Sequence, residues 1–532
     1  MRPRGSIMLV LHAHLPYVNH PEHPDFLEEN WFFEGVVETY VPLISMLDRL
    51  VKDGIRPGLT ISISPTLGAM LENEQLEKKL KRYIDSRLEL MEKELARVEN
   101  DPVLLKTARL YAGLYSQAAE TIHKYSGDLI TPLKQLQHSG QIEIITTAAT
   151  HAVLPTLAHP EALRAQIAAA ADDYFDRFNR KASGFWLPEC AYDPRVQAYL
   201  RLSGFKYFFT ESHAVRTPAA ANGVYSAYRA PGGLNVFARD AESSKEVWSA
   251  KFGYPGDPAY REFYRDLGYD ADLEYIKPYL SADGSRRALG IKYHRITGPV
   301  DLSAKQYYDP DEAMAAVERH AADFLARRLK QADEIFAAKG VRPVITGCYD
   351  AELFGHWWFE GPAFLEAVIR KTRQERLPLQ FVTPEEYLNT CPEPAEVSPQ
   401  ISSWGENGYF DPWVNEKNDS VSHKVLAVTE LMIGTANRFL NQEVSTPALR
   451  ALNQAAREVL LAQGSDWPFL MYIGSHAKYA AERVDGHAAN AARLLAEALE
   501  KRVDEKALAE LEKKNSLLGR LDFRLFASVS KF

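Results

Sequence analysis

Cysteine is nearly absent, with three residues (Cys190, Cys348, Cys391) in a chain of 532. Three thiols cannot form a disulfide framework, and their spacing is not that of a zinc site, so a reducing cytoplasm is the expected compartment. Long hydrophobic runs are missing too: nothing approaches the ~20 apolar residues of a membrane span. The start, Met1-Arg-Pro-Arg-Gly-Ser-Ile-Met-Leu-Val-Leu, mimics a secretion signal. The run is short, however, and His12-Ala-His14 interrupts it before any small-residue cleavage site, so it reads as a first strand. Basic charge is not in excess. Lys and Arg number 62 against 71 Asp and Glu, a net charge of -9, which leaves no basic face for nucleic acid. Neither a Gly-rich phosphate loop nor a 20–50-residue repeat is present. Membranes and nucleic acids are therefore not expected partners, and oligomeric state stays open.

What is present is a length that calls for two or three cores and an ordinary globular composition, 46% hydrophobic and 25% charged. Short apolar runs recur up to residue ~390: Ile7–Leu11, Leu59–Ile63, Ile142–Ile145, Phe185–Leu187, Tyr207–Phe209, Leu289–Tyr293, Val344–Thr346 and Leu379–Val382. Helical patterns such as Pro160–Phe178 and Pro310–Lys339 lie between them, so an α/β fold with a parallel sheet is predicted. Polar residues follow the runs: His12, His14, His151, Glu189, Glu211, His294 and Asp350. That placement suits a β/α barrel, whose active site lies at the strand C-termini, and also an open doubly wound sheet; the missing phosphate loop lowers the second option. Leu71–Lys124, charged and helical in period, reads as an inserted helical element. Ser212–Ser285 reads as a loop-rich insertion whose aromatic density argues against disorder. After a compositional shift near Pro392–Pro399 the pattern is almost wholly helical: Ser420–Asn441, Thr446–Gln463, Ser475–Lys501 and Asp504–Lys514. The expected division is a catalytic part over 1–395, with insertions at about 71–130 and 212–285, and a helical part over 396–532.

The chemistry concentrates in Trp186-Leu-Pro-Glu189-Cys-Ala-Tyr192 and Tyr349-Asp350-Ala-Glu352-Leu-Phe-Gly-His-Trp-Trp. Each presents a carboxylate among aromatic rings just after a strand. A lone Glu at a loop mouth is ordinarily a surface charge, but Trp186 and Tyr192 beside Glu189 suggest a sugar-stacking wall that also tunes its pKa. Asp350 and Glu352 point the same way on an extended chain; Asp350 is nearer the strand end and is the second acid of choice. Two such carboxylates are what glycosidic chemistry requires. His12, His14 and His151 allow two readings, a zinc site or imidazoles that hydrogen-bond sugar hydroxyls and fix the acids. Trp404 and Trp413 lie in a loop of Gly, Asn, Asp and Pro rather than an apolar period, which favours binding over core packing. Asp466, at a helix start, is by default an N-cap.

These segments resemble glycoside hydrolase family 57. The residues that carry the likeness are His12-Ala-His14-Leu-Pro, the Trp186–Tyr192 and Tyr349–Trp358 segments, Ser465-Asp466-Trp467-Pro, Tyr254-Pro-Gly-Asp-Pro-Ala-Tyr-Arg261 and Lys292-Tyr-His-Arg-Ile-Thr-Gly298. Within the family they are most similar to the 1,4-α-glucan branching enzymes, and the likeness runs from residue 7 to about residue 485. The resemblance implies an incomplete (β/α)7 barrel, a helical insertion and a C-terminal α-helical domain roofing the cleft. It implies Glu189 as nucleophile and Asp350 as general acid/base. It places His12, His14, His151 and Trp186 around the reacting sugar, and Arg261, Trp404 and Asp466 among the glucan contacts. It implies no metal or organic cofactor, and an α-1,4-glucan as both donor and acceptor. It also implies an aromatic on a loop after the nucleophile strand that favours transfer over hydrolysis, for which Tyr225, Tyr228 and Phe237 are the candidates. An α-amylase or 4-α-glucanotransferase with the same carboxylates is the alternative. In a retaining mechanism the carboxyls stand about 5–5.5 Å apart and the acid has a raised pKa.

Overall fold

The computed structural model describes residues 3–280, 284–391 and 393–528. Met1, Arg2, Pro392 and residues 281–283, used in the sequence reading, lie outside them. β1 (Gly5–Ala13) is buried along its whole length, as a strand covered on both faces must be. It pairs in parallel with β2 (Leu59–Ile63), and β2 with β3 (Ile142–Ile145). A second parallel set joins β4 (Gly184–Phe185), β5 (Tyr207–Thr210) and β7 (Asn235–Ala238), with the short β6 (Tyr228–Arg229) antiparallel to β7. The sets meet at two seams. Thr146 bridges Phe185, and the Asp240 amide donates to the Thr346 carbonyl at 2.8 Å on β8 (Val344–Asp350), which returns to β1. The circuit β1-β2-β3-β4-β5-β7-β8 is an irregular seven-stranded barrel. β9 (Leu379–Phe381) adds beside the start of β1.

Helices cover the barrel. The longest, Pro310–Lys339, starts with an Asp309 cap and Pro at its first turn and stops at Gly340 in the left-handed conformation. Glu74–Arg97 and Pro102–Lys124 form the inserted helical pair. The C-terminal helices are Asp419–Phe439, Thr446–Ala462, Asp466–Ile473, Ala477–Glu500 and Glu505–Lys514.

Two sequence expectations change. Leu289–Tyr293 is not a strand. It bends at Gly290, with φ 76°, beside the inserted helices, with Tyr115 Oη donating to the Leu289 carbonyl and Asp266 accepting from the Leu289 amide, so its apolar residues are buried by helices rather than by the sheet. The stretch 212–285 is more than a loop-rich insertion, because it contributes barrel strand β7. That strand is only four residues long, too short to show a period. Among the described residues no helix is long and apolar enough to cross a membrane.

Candidate active site

The C-terminal ends of the strands open into a cavity of about 1130 Å³ lined by Glu189, Asp350, His12, His14, His151 and Trp404 among others. Register explains part of this grouping: His12 on β1 is the direct partner of Asp350 on β8. Glu189 arrives differently. It lies beyond the short β4 in a turn where Glu189 and Cys190 have φ of 62° and 49°, a conformation that costs a side-chain-bearing residue about 1–2 kcal/mol. The turn is clamped from the C-terminal segment. The Trp404 amide donates to the Glu189 carbonyl at 3.0 Å, and the Tyr192 amide to the Ser402 carbonyl at 2.8 Å. The Trp404 indole Nε1 donates to Glu189 Oε2 at 2.6 Å. His151 is likewise left-handed, at φ 57°, and is held by Ser465, whose hydroxyl lies 2.7 Å from Nδ1.

The three imidazoles form one stack, with His14 and His151 centroids 3.8 Å apart and His12 and His151 4.8 Å apart. Their nitrogens have protein partners. His12 Nε2 and His151 Nε2 share a hydrogen bond of 2.8 Å, His12 Nδ1 meets Ser62 Oγ at 3.2 Å, and His14 Nδ1 meets Ser64 Oγ at 2.9 Å. His14 Nε2 lies 3.1 Å from Asp466 Oδ2. Rings stacked face to face with nitrogens turned to each other and to hydroxyls do not converge on one point, as metal ligands must. Among the described residues no group of three or more His, Cys, Asp or Glu is arranged to hold a metal ion. Burial, then the neighbouring imidazoles, push the pKa of His12 and His151 well below the usual value, so both are neutral at pH 7.

Burial lifts the acids. Glu189 is raised to about 7, with the charges of Asp350 and Asp466 adding to the rise and the Trp404 donor opposing it. Asp350 is raised to about 6, with His14 and Arg239 opposing. The raised pKa expected of the acid extends to the nucleophile: both carboxyls are desolvated in one cavity, and the Asp350 charge adds to the rise at Glu189. Glu352 is raised to about 8 by burial and then by Asp350. It accepts from Tyr40 Oη at 2.5 Å and from the His14 amide at 3.2 Å, so it braces the turn after Asp350.

The remaining expected residues divide. Trp413, Arg261 and Asp466 line the cavity. Arg261 is 4% exposed, donates to the His356 carbonyl at 2.8 Å and lies over the Phe359 ring. Asp466 is not an N-cap; Ser465 holds that position, and the Asp466 carboxylate turns to His14. Trp186 lies outside the lining, one layer back, stacked on His12 at 4.8 Å with 12° between planes. Tyr192 is core, stacked on Phe208. His294 is away from the acids, against Tyr307. Tyr225, Tyr228 and Phe237 do not line the cavity either: Tyr225 takes a hydrogen bond from Gln331, and Tyr228 and Phe237 are buried in the core. The lining aromatics are instead Trp31, Trp248, Phe263, Tyr264, Trp357, Trp358, Phe469 and Tyr472, beside the two loop tryptophans. Arg239, which follows β7 and pairs with Glu211 at 3.3 Å, was also missed; its only sequence signal was its position after that short strand.

Comparison with known proteins agrees with this architecture. The family profile described as glycosyl hydrolase family 57 matches residues 8–400, and the one described as 1,4-alpha-glucan branching enzyme, C-terminal, matches residues 424–526. A 1,4-alpha-glucan branching enzyme of Thermococcus kodakarensis is 34% identical, over 96% of this chain and 77% of that protein. Among solved structures, the alpha-amylase AmyC of Thermotoga maritima superposes with a TM-score of 0.91 at 40% identity, covering 100% of both chains. The family 57 branching enzyme of Pyrococcus horikoshii gives 0.89 at 30% identity, covering 99% of this chain and 97% of that one. The chain belongs to glycosyl hydrolase family 57.

Proposed function

We propose that this protein is a 1,4-α-glucan branching enzyme that works by double displacement with retention. The observation that carries the reading is Glu189 and Asp350 facing one cavity with a single directional donor between them, the Trp404 indole on Glu189. Among the described residues none donates to the Asp350 carboxyl. A donor stabilises the anion it points at, so the indole opposes the burial that leaves Glu189 at about 7 against about 6 for Asp350, and it marks Glu189 as the group that attacks and Asp350 as the group that carries the proton.

In the first step the Glu189 carboxylate forms a bond to the anomeric carbon of an α-1,4-linked glucose while the bond to the leaving 4-oxygen breaks. Asp350 gives its proton to that oxygen. In the second step Asp350 takes the proton of a 6-hydroxyl on another chain; this oxygen attacks the same carbon, and Glu189 leaves as carboxylate. Asp350 can switch roles because glycosylation removes the Glu189 charge that resists its ionisation. The stacked imidazoles of His12, His14 and His151, their nitrogens held by Ser62, Ser64, Ser465, Asp466 and one another, form a wall around the reacting sugar, and Arg261, Trp404, Trp413 and Asp466 contact the flanking glucan. Trp186 supports His12 from behind.

The proposed division is a catalytic part up to about residue 395 and a helical part after it that supplies Trp404, Trp413 and Asp466. The three free thiols are compatible with a reducing cytoplasm, and glycogen synthesis is the proposed setting. A hydrolytic α-amylase is the second reading, favoured by the 40% identity to the Thermotoga maritima amylase.

Incubation with amylose, followed by proton NMR for α-1,6 anomeric signals and for reducing ends, tests both. Branching predicts α-1,6 signals growing faster than reducing ends, with α configuration kept. Reducing ends alone would establish the amylase, and β products would refute the covalent intermediate.

A further inference from the structure

Trp357 is out of keeping with its surroundings. Phe354 and Trp358 in the same turn are buried, yet Trp357 is 53% exposed and lines the cavity. Its ring is not a loose side chain. One face stacks on Phe263 at 4.6 Å with 24° between planes. Phe263 is backed in turn by Lys292, whose Nζ lies 4.1 Å from its centroid and which is itself 4% exposed. His356 stands edge-on to both rings, at 5.3 Å from Phe263 and 5.0 Å from Trp357. It is fixed by Glu38 Oε2 at 2.8 Å from its Nδ1. Below, the Trp357 amide donates to the Glu352 carbonyl at 3.1 Å. The result is a layered support, Lys292, Phe263 and Trp357, with the outer indole face left bare. Glu34, in the same cavity lining, is raised to about 7, by burial first and then by the Glu38 charge.

We propose that this bare indole face is an outer glucose-binding platform on the acceptor side of the catalytic pair, with Glu34 hydrogen-bonding a sugar hydroxyl there. The inference rests on the branching reading and extends it. A sugar ring presents flat C–H faces and a rim of hydroxyls, so it suits an immobilised aromatic face beside a carboxyl group. The side follows from chain connectivity. Asp350 protonates the oxygen of the departing chain, and the indole is carried on the turn that runs on from Asp350 through Glu352 to Trp357. The platform therefore receives the departing segment first and the acceptor chain afterwards. A preformed ring surrenders little conformational entropy on binding, which is what a weakly held, exchanging acceptor needs.

The test compares Trp357→Ala and Trp357→Phe in the full chain. Stacking of about 0.5–1.5 kcal/mol corresponds to roughly a two- to twelvefold effect. Trp357→Ala should raise KM for amylose and lower the ratio of α-1,6 transfer to reducing-end release by about that factor. Trp357→Phe should recover most of the loss. Isothermal titration of maltoheptaose and of maltose completes the test: the alanine variant should bind the heptaose several-fold more weakly and maltose as wild type does. Equal weakening for both sugars would mean general distortion of the site and overturn the platform. So would unchanged heptaose affinity, or failure of phenylalanine to rescue. If the wild type makes no α-1,6 bonds but releases reducing ends, the branching reading falls; a heptaose-specific loss would still establish the indole as a glucan platform.

Discussion

Replacing Trp404 by Phe removes one hydrogen-bond donor from Glu189 and little else. The indole Nε1 lies 2.6 Å from Oε2, and the ring sits edge-on to Trp186 at 5.2 Å, a contact that a phenyl ring largely keeps. The backbone bond from the Trp404 amide to the Glu189 carbonyl is untouched. A hydrogen bond to a charged group contributes about 1.5–3 kcal/mol. In the proposed cycle the productive enzyme has Glu189 ionised and Asp350 protonated, and its mirror form has the proton moved to Glu189. Without the indole donor the mirror form gains population. At about 1.4 kcal/mol per factor of ten, kcat/KM on amylose should fall roughly 10- to 150-fold across the pH range. Initial rates of branching and of reducing-end release measured from about pH 5 to pH 9 provide the assay, with thermal unfolding as the control for packing. Both rates should fall together, since the first step is common to them. A Trp404→Phe enzyme within about threefold of wild type in kcat/KM, with unchanged melting, would refute the claim that this donor sets the charge of the nucleophile.

With the paired carboxyls raised to about 7 and about 6, kcat/KM should be bell-shaped, because only the form with one proton on the pair is competent. The pair titrates as a unit: the rate should fall below about 6, where the pair takes up a second proton, and above about 7, where it loses its last; a flat profile across that window would contradict the assignment. Glu189→Gln should abolish branching, and its stability effect has a defined sign. The folded chain keeps a proton on Glu189 between 4.5 and about 7 that the unfolded chain releases, so the stabilisation is present below 4.5 and lost as pH rises through that window. Relative to wild type the Gln variant should gain about 2–3 kcal/mol more at pH 8 than at pH 5, and denaturant titrations giving equal differences would count against the burial argument. Gly355 has φ 122°, and a Cβ there would lie 1.8 Å from the Glu38 carbonyl oxygen. Gly355→Ala should therefore displace the turn between Asp350 and Trp357, with a loss of more than about 1 kcal/mol read by melting and a matching loss of activity.

What local pattern carries is legible in the chain. The runs at Ile7–Leu11 and Val344–Thr346 are strands because an apolar stretch buried on both faces can be little else, and Glu189 and Asp350 stand out because each follows such a run in a segment dense with aromatics. What depends on neighbours distant in the chain is not legible there. Leu289–Tyr293 is as apolar as a strand but is covered by the Pro102–Lys124 helix, whereas Asn235–Ala238 is a barrel strand too short to be periodic. Trp186 and Tyr192 flank Glu189 in sequence, yet neither lines the cavity, since the left-handed turn at Glu189 turns the carboxylate away from its chain neighbours.

By itself, then, the sequence determined the alternation of strands and helices and the helical C-terminal segment, because apolar periodicity is a local property of the chain; the seven-strand count and the roles expected of Glu189 and Asp350 came only with the family resemblance. Only the tertiary structure decided which groups govern those acids. Trp404 reaches Glu189 from 215 residues away and Asp466 reaches His14 from 452 residues away. Burial lifted both carboxyls together, and the bare face of Trp357 emerged from a stack of three residues that no spacing rule connects. Charge state and exposure are properties of a packed cavity, and a linear pattern does not contain them.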